Sequence, residues 1–469
     1  MAFDSIEYVL FLVVVLGLYA LLPGKLRVAL LLVASLAFYA VWSIPLTSLI
    51  LISGLTDFAI ALALGRTQAP AKRRVLLGIS LAVNLGILGY FKYKGFFLDN
   101  LVALGLIEDG GWAALVLPPG ISFYTFQTMS YSVDVYRREL EPCRDPLQFL
   151  LYVAFFPQLI AGPIERAGRL LPQFAAMAEH RIASEDLAAG LRLILFGLFK
   201  KAVLADSCGL YVDAVFASPE TAGGWATIVA CLAFTLQIYF DFSAYSEIAK
   251  GSARLLGVEL IWNFDQPYLA ANVSDFWRRW HISLSTWFRD YLYKPLGGNK
   301  RGKGRVLLNL AATMFLSGLW HGAAWNFVLW GLFHGLLLLM HHQLRAREPV
   351  RRLRERWPRA FAFGTWVWTL HVVILGWLLF RVEAFADVGT LASSALGALS
   401  GSESIAAAEL GFILAFYAFI GLSALARWRR WQAKIDADPN LSLVVYGGLG
   451  IAAMVLAREQ ASQFIYFQF

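Results

Sequence analysis

Apolar runs recur along this chain from one end to the other, and no other feature limits its fold so strongly. They fall near residues 8–23, 28–42, 46–64, 75–91, 112–133, 146–162, 187–204, 224–248, 305–319, 323–342, 361–380, 408–426 and 441–457. A transmembrane helix needs roughly 20 mainly apolar residues to cross a hydrocarbon core about 30 Å thick. Windows of that kind are too frequent here to be anchors on a soluble domain. Only 15% of the 469 residues are charged, 59% are hydrophobic, and the mean hydropathy is +0.61. Soluble domains carry about 25% charged residues because their surface faces water; a chain this poor in charge turns its outside to lipid. Barrel strands would alternate in polarity over about ten residues, and these runs do not. The expected fold is all-α and polytopic. Several runs are short or interrupted by Gly and Pro, which leaves about eleven spans, with the remainder re-entrant or interfacial. No fixed-period repeat or low-complexity linker divides the chain, so residues 1–469 read as one membrane domain.

The net charge of +8 gathers between the apolar runs: Arg66 to Arg74, Lys200 with Lys201, Lys300 to Arg305, the Arg-rich 345–359 stretch, and Arg427 to Lys434. In a soluble protein this excess would suggest nucleic acid. In a polytopic one it is the positive-inside bias of cytoplasmic loops, and no nucleic-acid partner is expected. The first run lacks a basic leader; Asp4 and Glu7 precede it and Lys25 and Arg27 follow, the pattern of a retained helix with its N-terminus outside. Cys143, Cys208 and Cys231 are scattered, without the spacing of a disulfide framework or a zinc site.

One region breaks the pattern. Residues 270–305 carry Arg278, Arg279, Arg289, Asp290, Lys294, Lys300, Arg301, Lys303 and Arg305 among Trp277, Trp280 and Trp287. Each central charge costs about 2.5–3.5 kcal/mol in a simple span, so this stretch belongs at the interface or in a protein-lined wet cavity.

His281 lies inside that region, and His321 lies between two strongly apolar runs. Imidazole accepts protons near neutral pH, which suits deprotonation of an attacking hydroxyl, and an ionisable group at membrane depth is a functional hypothesis by default. Gly318 and Gly322 allow close backbone approach around His321, and Trp320, Trp325 and Trp330 can wall a cavity. On a continuous helix Trp277, His281 and Ser285 would share one face. The plainer reading, in which each histidine bonds a backbone carbonyl and joins helices, stays open. His334, His341 and His342 raise a metal site, but no HExxH accompanies them and no metal is expected. Asp241 and Glu247 are acids near membrane depth, for which pairing with Lys250 or Arg254 is the expected role. There is no GxSxG nucleophile elbow, no GxxxxGK[ST] phosphate loop and no GxGxxG after a strand, so hydrolase, ATP-driven pump and Rossmann readings lose support.

DFWRRWHISLSTWFRDYLYKPLGGNK (275–300) and LSGLWHGAAWNFVLWGLFHG (316–335) together resemble the membrane-bound O-acyltransferase family, in its bacterial branch typified by alginate O-acetylation. LPPGISFYTFQTMSYSVDVYRRE (117–139), FFPQLIAGPIERA (155–167), YFDFSAYSEIAK (239–250) and FIYFQF (464–469) extend the likeness along nearly the whole chain. The resemblance implies a funnel or tunnel ringed by the spans, with a catalytic segment at 270–345. His321 of the WHG motif is then catalytic and His281 of the WH-S-S motif supports it. It also implies a bacterial inner-membrane enzyme without a bound cofactor. Such an enzyme takes acetyl groups from a cytoplasmic thioester such as acetyl-CoA toward an exopolysaccharide, with extracytoplasmic SGNH-type partner proteins completing the transfer. D-alanyl transfer to teichoic acid and peptidoglycan O-acetylation are the related alternatives. A transporter of an acylated precursor, or a docking scaffold for outer partners, stands outside that class.

With this chemistry in view, Arg278, Arg279, Arg289 and Lys294 are candidates for the donor's phosphates, against plain loop topology. Asn326, Trp320, Ser285 and the His281 imidazole itself are candidates for positioning substrate or stabilising an oxyanion.

Overall fold

The computed structural model describes residues 1–111, 115–160, 162–177, 182–300, 302–426, 428–457 and 464–465, and every regular element among them is helical. Among the described residues seven helices are long and apolar enough to cross a membrane: Ile44–Arg66, Pro70–Ala103, Gly224–Leu255, Trp325–Leu344, Pro358–Arg381, Ala407–Ala424 and Pro439–Leu456. Ile6–Leu21, Leu26–Ala40 and Phe385–Leu399 are shorter apolar helices. Two of the anticipated runs differ for a physical reason. The run at 112–133 becomes the helix Ile121–Arg137, whose polar Ser122, Thr125, Gln127, Thr128, Ser130 and Ser132 are all buried. A helix wrapped by its neighbours has no need of an apolar outside, so hydropathy underrates it. The run at 146–162 breaks after Pro146–Ala154, where the chain turns at Phe155 into the single turn Phe156–Leu159.

The described chain divides into two compact units, residues 1–194 with 245–262, and residues 195–244 with 263–469. The first unit is knitted by buried polar contacts. Asp57 accepts hydrogen bonds from Ser80, from Asn84 at 2.6 Å and from Ser132 at 2.7 Å, tying Ile44–Arg66, Pro70–Leu88 and Ile121–Arg137 together. Away from water each such group must find a partner within the protein. Gly190 and Gly251 let two segments of this unit touch backbone to backbone: a Cβ on Gly251 would lie 2.7 Å from the Gly190 carbonyl oxygen.

In the second unit the acid pairing departs from the sequence expectation. Asp241 pairs with Lys201 at 3.0 Å, and Lys201 also holds Asp206 at 2.8 Å. Lys250 instead reaches Glu259 at 3.8 Å, and Arg254 reaches Asp186 at 2.8 Å, both pairs within the first unit. Lys200 and Lys201 are therefore not loop punctuation. They lie buried in the π-helical turn Lys200–Ala205, where two carboxylates offset the desolvation of Lys201. Asp241 also accepts the amide of Ile465 at 2.8 Å. Residues 466–469 of the C-terminal FIYFQF lie outside the described residues, as do Arg301 and Arg427.

Candidate active site

The region at 270–305 is broken, as its charges require. Val273–Arg279 and Ile282–Trp287 are short helices followed by the π-helical turn Phe288–Tyr293. The break falls on Trp280 and His281, and His281 adopts φ +43° and ψ 58°. Trp277, His281 and Ser285 consequently do not form the helical face anticipated for them. A left-handed conformation costs a non-glycine residue roughly 1–2 kcal/mol, so the surroundings must hold it. They do so through Asn263: its carbonyl accepts the amide of Ile282 at 2.9 Å and its side-chain oxygen that of Ser283 at 3.3 Å. The Asp265 amide adds a third tie, donating to the Arg279 carbonyl at 2.9 Å.

The turn that this pinning creates aims the His281 ring inward, where it is 1% exposed. Phe242 meets it edge-on with centroids 4.7 Å apart, and the Ser283 hydroxyl lies 3.4 Å from Nδ1. Burial lowers the imidazole from its ordinary value to about 3, so it is held neutral. The Ser285 hydroxyl does not face this ring; it donates to the Trp280 carbonyl at 3.2 Å.

His321 is placed by a helical hairpin. It is the last residue of Lys303–His321; Gly322 leaves the helix with extended backbone, and Trp325–Leu344 begins after Ala324. The two helices approach closely because glycines face each other. A Cβ on Gly318 would lie 3.1 Å from the Gly331 Cα and would collide with the Phe327 carbonyl, while one on Gly322 would enter the Phe327 ring. At the mouth of this hairpin His321 is 4% exposed, enclosed by Trp330 at 4.9 Å, Trp320 at 5.0 Å and Phe380 at 5.3 Å between ring centroids. Trp320 links the two histidines, its indole 5.0 Å from the His321 ring and 5.8 Å from that of His281. Two segments forty residues apart thus place their imidazoles against one tryptophan.

The remaining candidates divide. Asn326 is buried near the hairpin turn, and its side-chain nitrogen donates to the Val382 carbonyl at 2.9 Å. Arg278 and Arg279 share Asp275 at 3.4 and 3.0 Å, and Arg289 and Lys294 share Asp290 at 2.9 and 2.7 Å. These are two partly exposed clusters of net charge +1 each, not a bare row of cations. Exposed pairs of this kind are weak, so the guanidinium groups remain open to a stronger anion.

Sequence reading missed His334 as part of this neighbourhood and considered it only beside His341 as a metal ligand. It is fully buried; its ring lies 4.9 Å from Trp330 and 5.1 Å from Trp277, and neither ring nitrogen has a hydrogen-bond partner among the described residues. The signal was there: Asn326, Trp330 and His334 recur at intervals of four and line one face of the helix. Among the described residues no three His, Cys, Asp or Glu side chains gather as metal ligands.

Comparison with known proteins identifies relatives along most of the chain. The model of the membrane-bound O-acyltransferase family matches residues 121–380, which include both histidines. The chain is 42% identical over 397 residues to the probable alginate O-acetylase AlgI of Azotobacter vinelandii, covering 82% of this chain and 75% of that protein. It is 36% identical over 503 aligned positions to the probable alginate O-acetylase AlgI of Pseudomonas putida, covering 100% of both. It is 35% identical over 379 residues to the peptidoglycan O-acetyltransferase of Helicobacter pylori, covering 75% of this chain and 70% of that one. This chain belongs to the membrane-bound O-acyltransferase family and is a multi-pass membrane enzyme that transfers acyl groups to oxygen.

Proposed function

We propose that this protein is the membrane subunit that O-acetylates a bacterial cell-surface polysaccharide of the alginate kind, with His321 as the catalytic imidazole and His281 as its support. The observation that carries the reading is the pairing of two buried histidines across Trp320, at the end of a glycine-packed hairpin. The likeness to two alginate O-acetylases, one over the full length of both chains, supports the acceptor class. Peptidoglycan is the alternative acceptor, on the likeness to the Helicobacter pylori enzyme.

In this reading the donor is an acyl thioester such as acetyl-CoA on the cytoplasmic side of the inner membrane. Arg278, Arg279, Arg289 and Lys294 exchange their shared carboxylates for its phosphates. His321 takes the proton from the acceptor hydroxyl as that oxygen attacks the thioester carbonyl carbon. The carbon–sulfur bond breaks, and the departing thiolate recovers the proton from the imidazolium. The second N–H of the Asn326 amide, beyond the one given to Val382, and the neutral His281 ring are the donors for the developing oxyanion. Ser285, turned to the Trp280 carbonyl, acts only by fixing the backbone next to His281. The acceptor hydroxyl belongs to an extracytoplasmic partner protein, and a polymer hydroxyl then attacks the ester so formed, taking the acetyl group and returning the partner's hydroxyl. His321→Ala should insert and accumulate like the parent yet leave the host's surface polysaccharide without ester groups, measured by mass analysis of the purified polymer. Normal ester content in that variant rejects the catalytic assignment.

A further inference from the structure

A strongly charged exposed element is not used by the reaction described above. Residues 345–359 contain seven arginines (345, 347, 351, 352, 354, 356 and 359) against Glu348 and Glu355, a net charge of 7 − 2 = +5. They join two helices long enough to span the membrane, Trp325–Leu344 and Pro358–Arg381, and carry the helix Glu348–Arg356 between them. So short a connection holds that helix at the membrane face. Its side chains are sorted. Val350, Leu353 and Trp357 recur at helical spacing, and Leu353 and Trp357 are 52% and 57% exposed. Beside this apolar stripe, Glu348 is paired at 2.7 Å with Arg351 and at 2.8 Å with Arg352, both guanidinium-bearing chains being largely exposed. Glu348, Pro349, Arg352, Leu353 and Arg356 line a shallow cleft.

We infer that the helix Glu348–Arg356 is a binding surface for the headgroups of anionic phospholipids, its guanidinium groups on the phosphates and its Leu353–Trp357 stripe in the acyl boundary. Positive-inside topology requires basic residues in a loop but neither an ordered helix nor an apolar stripe beside them. The Arg356 guanidinium lies over the Trp357 ring at 5.9 Å; a water-soluble phosphate ligand explains the arginines but leaves the apolar face of Leu353 turned to water without reason. A lipid surface uses both, as interfacial amphipathic helices do. None of its residues belongs to either histidine motif or takes part in the acyl transfer described above, so the inference holds or fails independently of the acetylation reading.

The test is native mass spectrometry of the full-length protein released from nanodiscs of phosphatidylcholine containing a fraction of phosphatidylglycerol, with salt and inorganic phosphate as titrants. The parent should retain phosphatidylglycerol in preference to phosphatidylcholine and lose it as salt rises. Arg351→Gln, Arg352→Gln, Arg354→Gln and Arg356→Gln combined should weaken retention roughly a hundredfold, after discounting the charge that Glu348 already neutralises. The four corresponding lysine substitutions should keep most of it, because the attraction is to charge at a surface. Leu353→Ser with Trp357→Ser should weaken it with the charges intact. Retention unchanged in the glutamine variant, or displacement of the lipid by millimolar inorganic phosphate, overturns the inference. If the glutamine variant does not assemble, the salt titration of the parent decides: retention indifferent to salt overturns it equally.

Discussion

Gly318→Ala tests whether close packing of the hairpin is what holds His321 in place. The added Cβ would lie 3.1 Å from the Gly331 Cα and 3.2 Å from its nitrogen, and would collide with the Phe327 carbonyl. Ordinary contact lies at about 3.5–4.0 Å, so Gly331 alone demands about half an ångström of separation, and clearing the carbonyl brings it to about 1 Å. None of these atoms belongs to a side chain that can rotate away; the helices themselves must part. Trp330 adjoins Gly331, and its ring rests on that of His321, so the separation is delivered to the His321 imidazole. Overpacking of this kind costs about 1–3 kcal/mol of stability, and a displacement of 1 Å at a reacting group can cost about a hundredfold in rate. Two further alanines calibrate the effect. Gly335→Ala meets the Met314 Cβ at 3.3 Å and the Ala311 Cα at an ordinary 3.8 Å, and Gly364→Ala meets nothing within 4 Å. Acyl transfer by matched amounts of membrane protein, with melting temperature in detergent read alongside, should fall in the order Gly364, Gly335, Gly318. Full transfer in Gly318→Ala at an unchanged melting temperature would refute the packing account.

Other perturbations probe the rest of the site. His281→Asn keeps a side chain that tolerates positive φ and should fold, losing activity only through the missing imidazole, whereas His281→Val adds β-branched strain at φ +43° and should also lower the melting temperature. Because burial lowers the His281 value to about 3, against about 6.5 when unfolded, the unfolded chain binds the extra proton between these limits. This group's contribution is therefore complete above pH 6.5 and is lost as pH falls toward 3, by at most about 1.4 kcal/mol per unit; melting temperatures from pH 7 to 4 should fall more steeply for the parent than for His281→Asn. Asp241→Ala strips Lys201 of one of its two buried carboxylates and the Ile465 amide of its acceptor; a loss of about 3–5 kcal/mol is expected, with Asp241→Asn milder because it still accepts from that amide, both read by thermal denaturation.

How far the site could be read in advance depends on which interactions make it. The membrane class, the helical fold and the two histidine motifs follow from apolar runs and local residue patterns, which are properties of short windows. Gly318 and Gly322 were legible for the same reason: a small residue next to an aromatic cluster speaks of close approach wherever its partner comes from. The charge pairs were not. Asp241 lies nine residues from Lys250, one helix span on, yet its partner is Lys201, forty residues earlier. Sequence proximity along a helix ranks candidate pairs only when the helix has one exposed face. The face at 239–250 is buried almost all round, so the partner is chosen by whichever helix packs there.

The turn at His281 marks a second limit, and it bears on how the enzyme works. WRRWHISLSTW reads as a continuous amphipathic helix, because no Gly or Pro announces a break. The break is imposed from a distance by Asn263, whose carbonyl and side chain capture two amides that a continuous helix would have bonded within itself. A helix would have carried His281 past the WHG motif on a fixed pitch of about 100° per residue. The left-handed turn stops it, buries its ring, and leaves it against Trp320. Asn263 is accordingly a positioning residue for the site despite carrying no chemistry of its own. Asn263→Ala removes the bond to the Ser283 amide while the backbone bond to Ile282 remains. It should therefore reduce acyl transfer through His281 without mimicking the full loss of His321→Ala. A variant with full activity and an unaltered pH–stability profile would show that the turn holds itself.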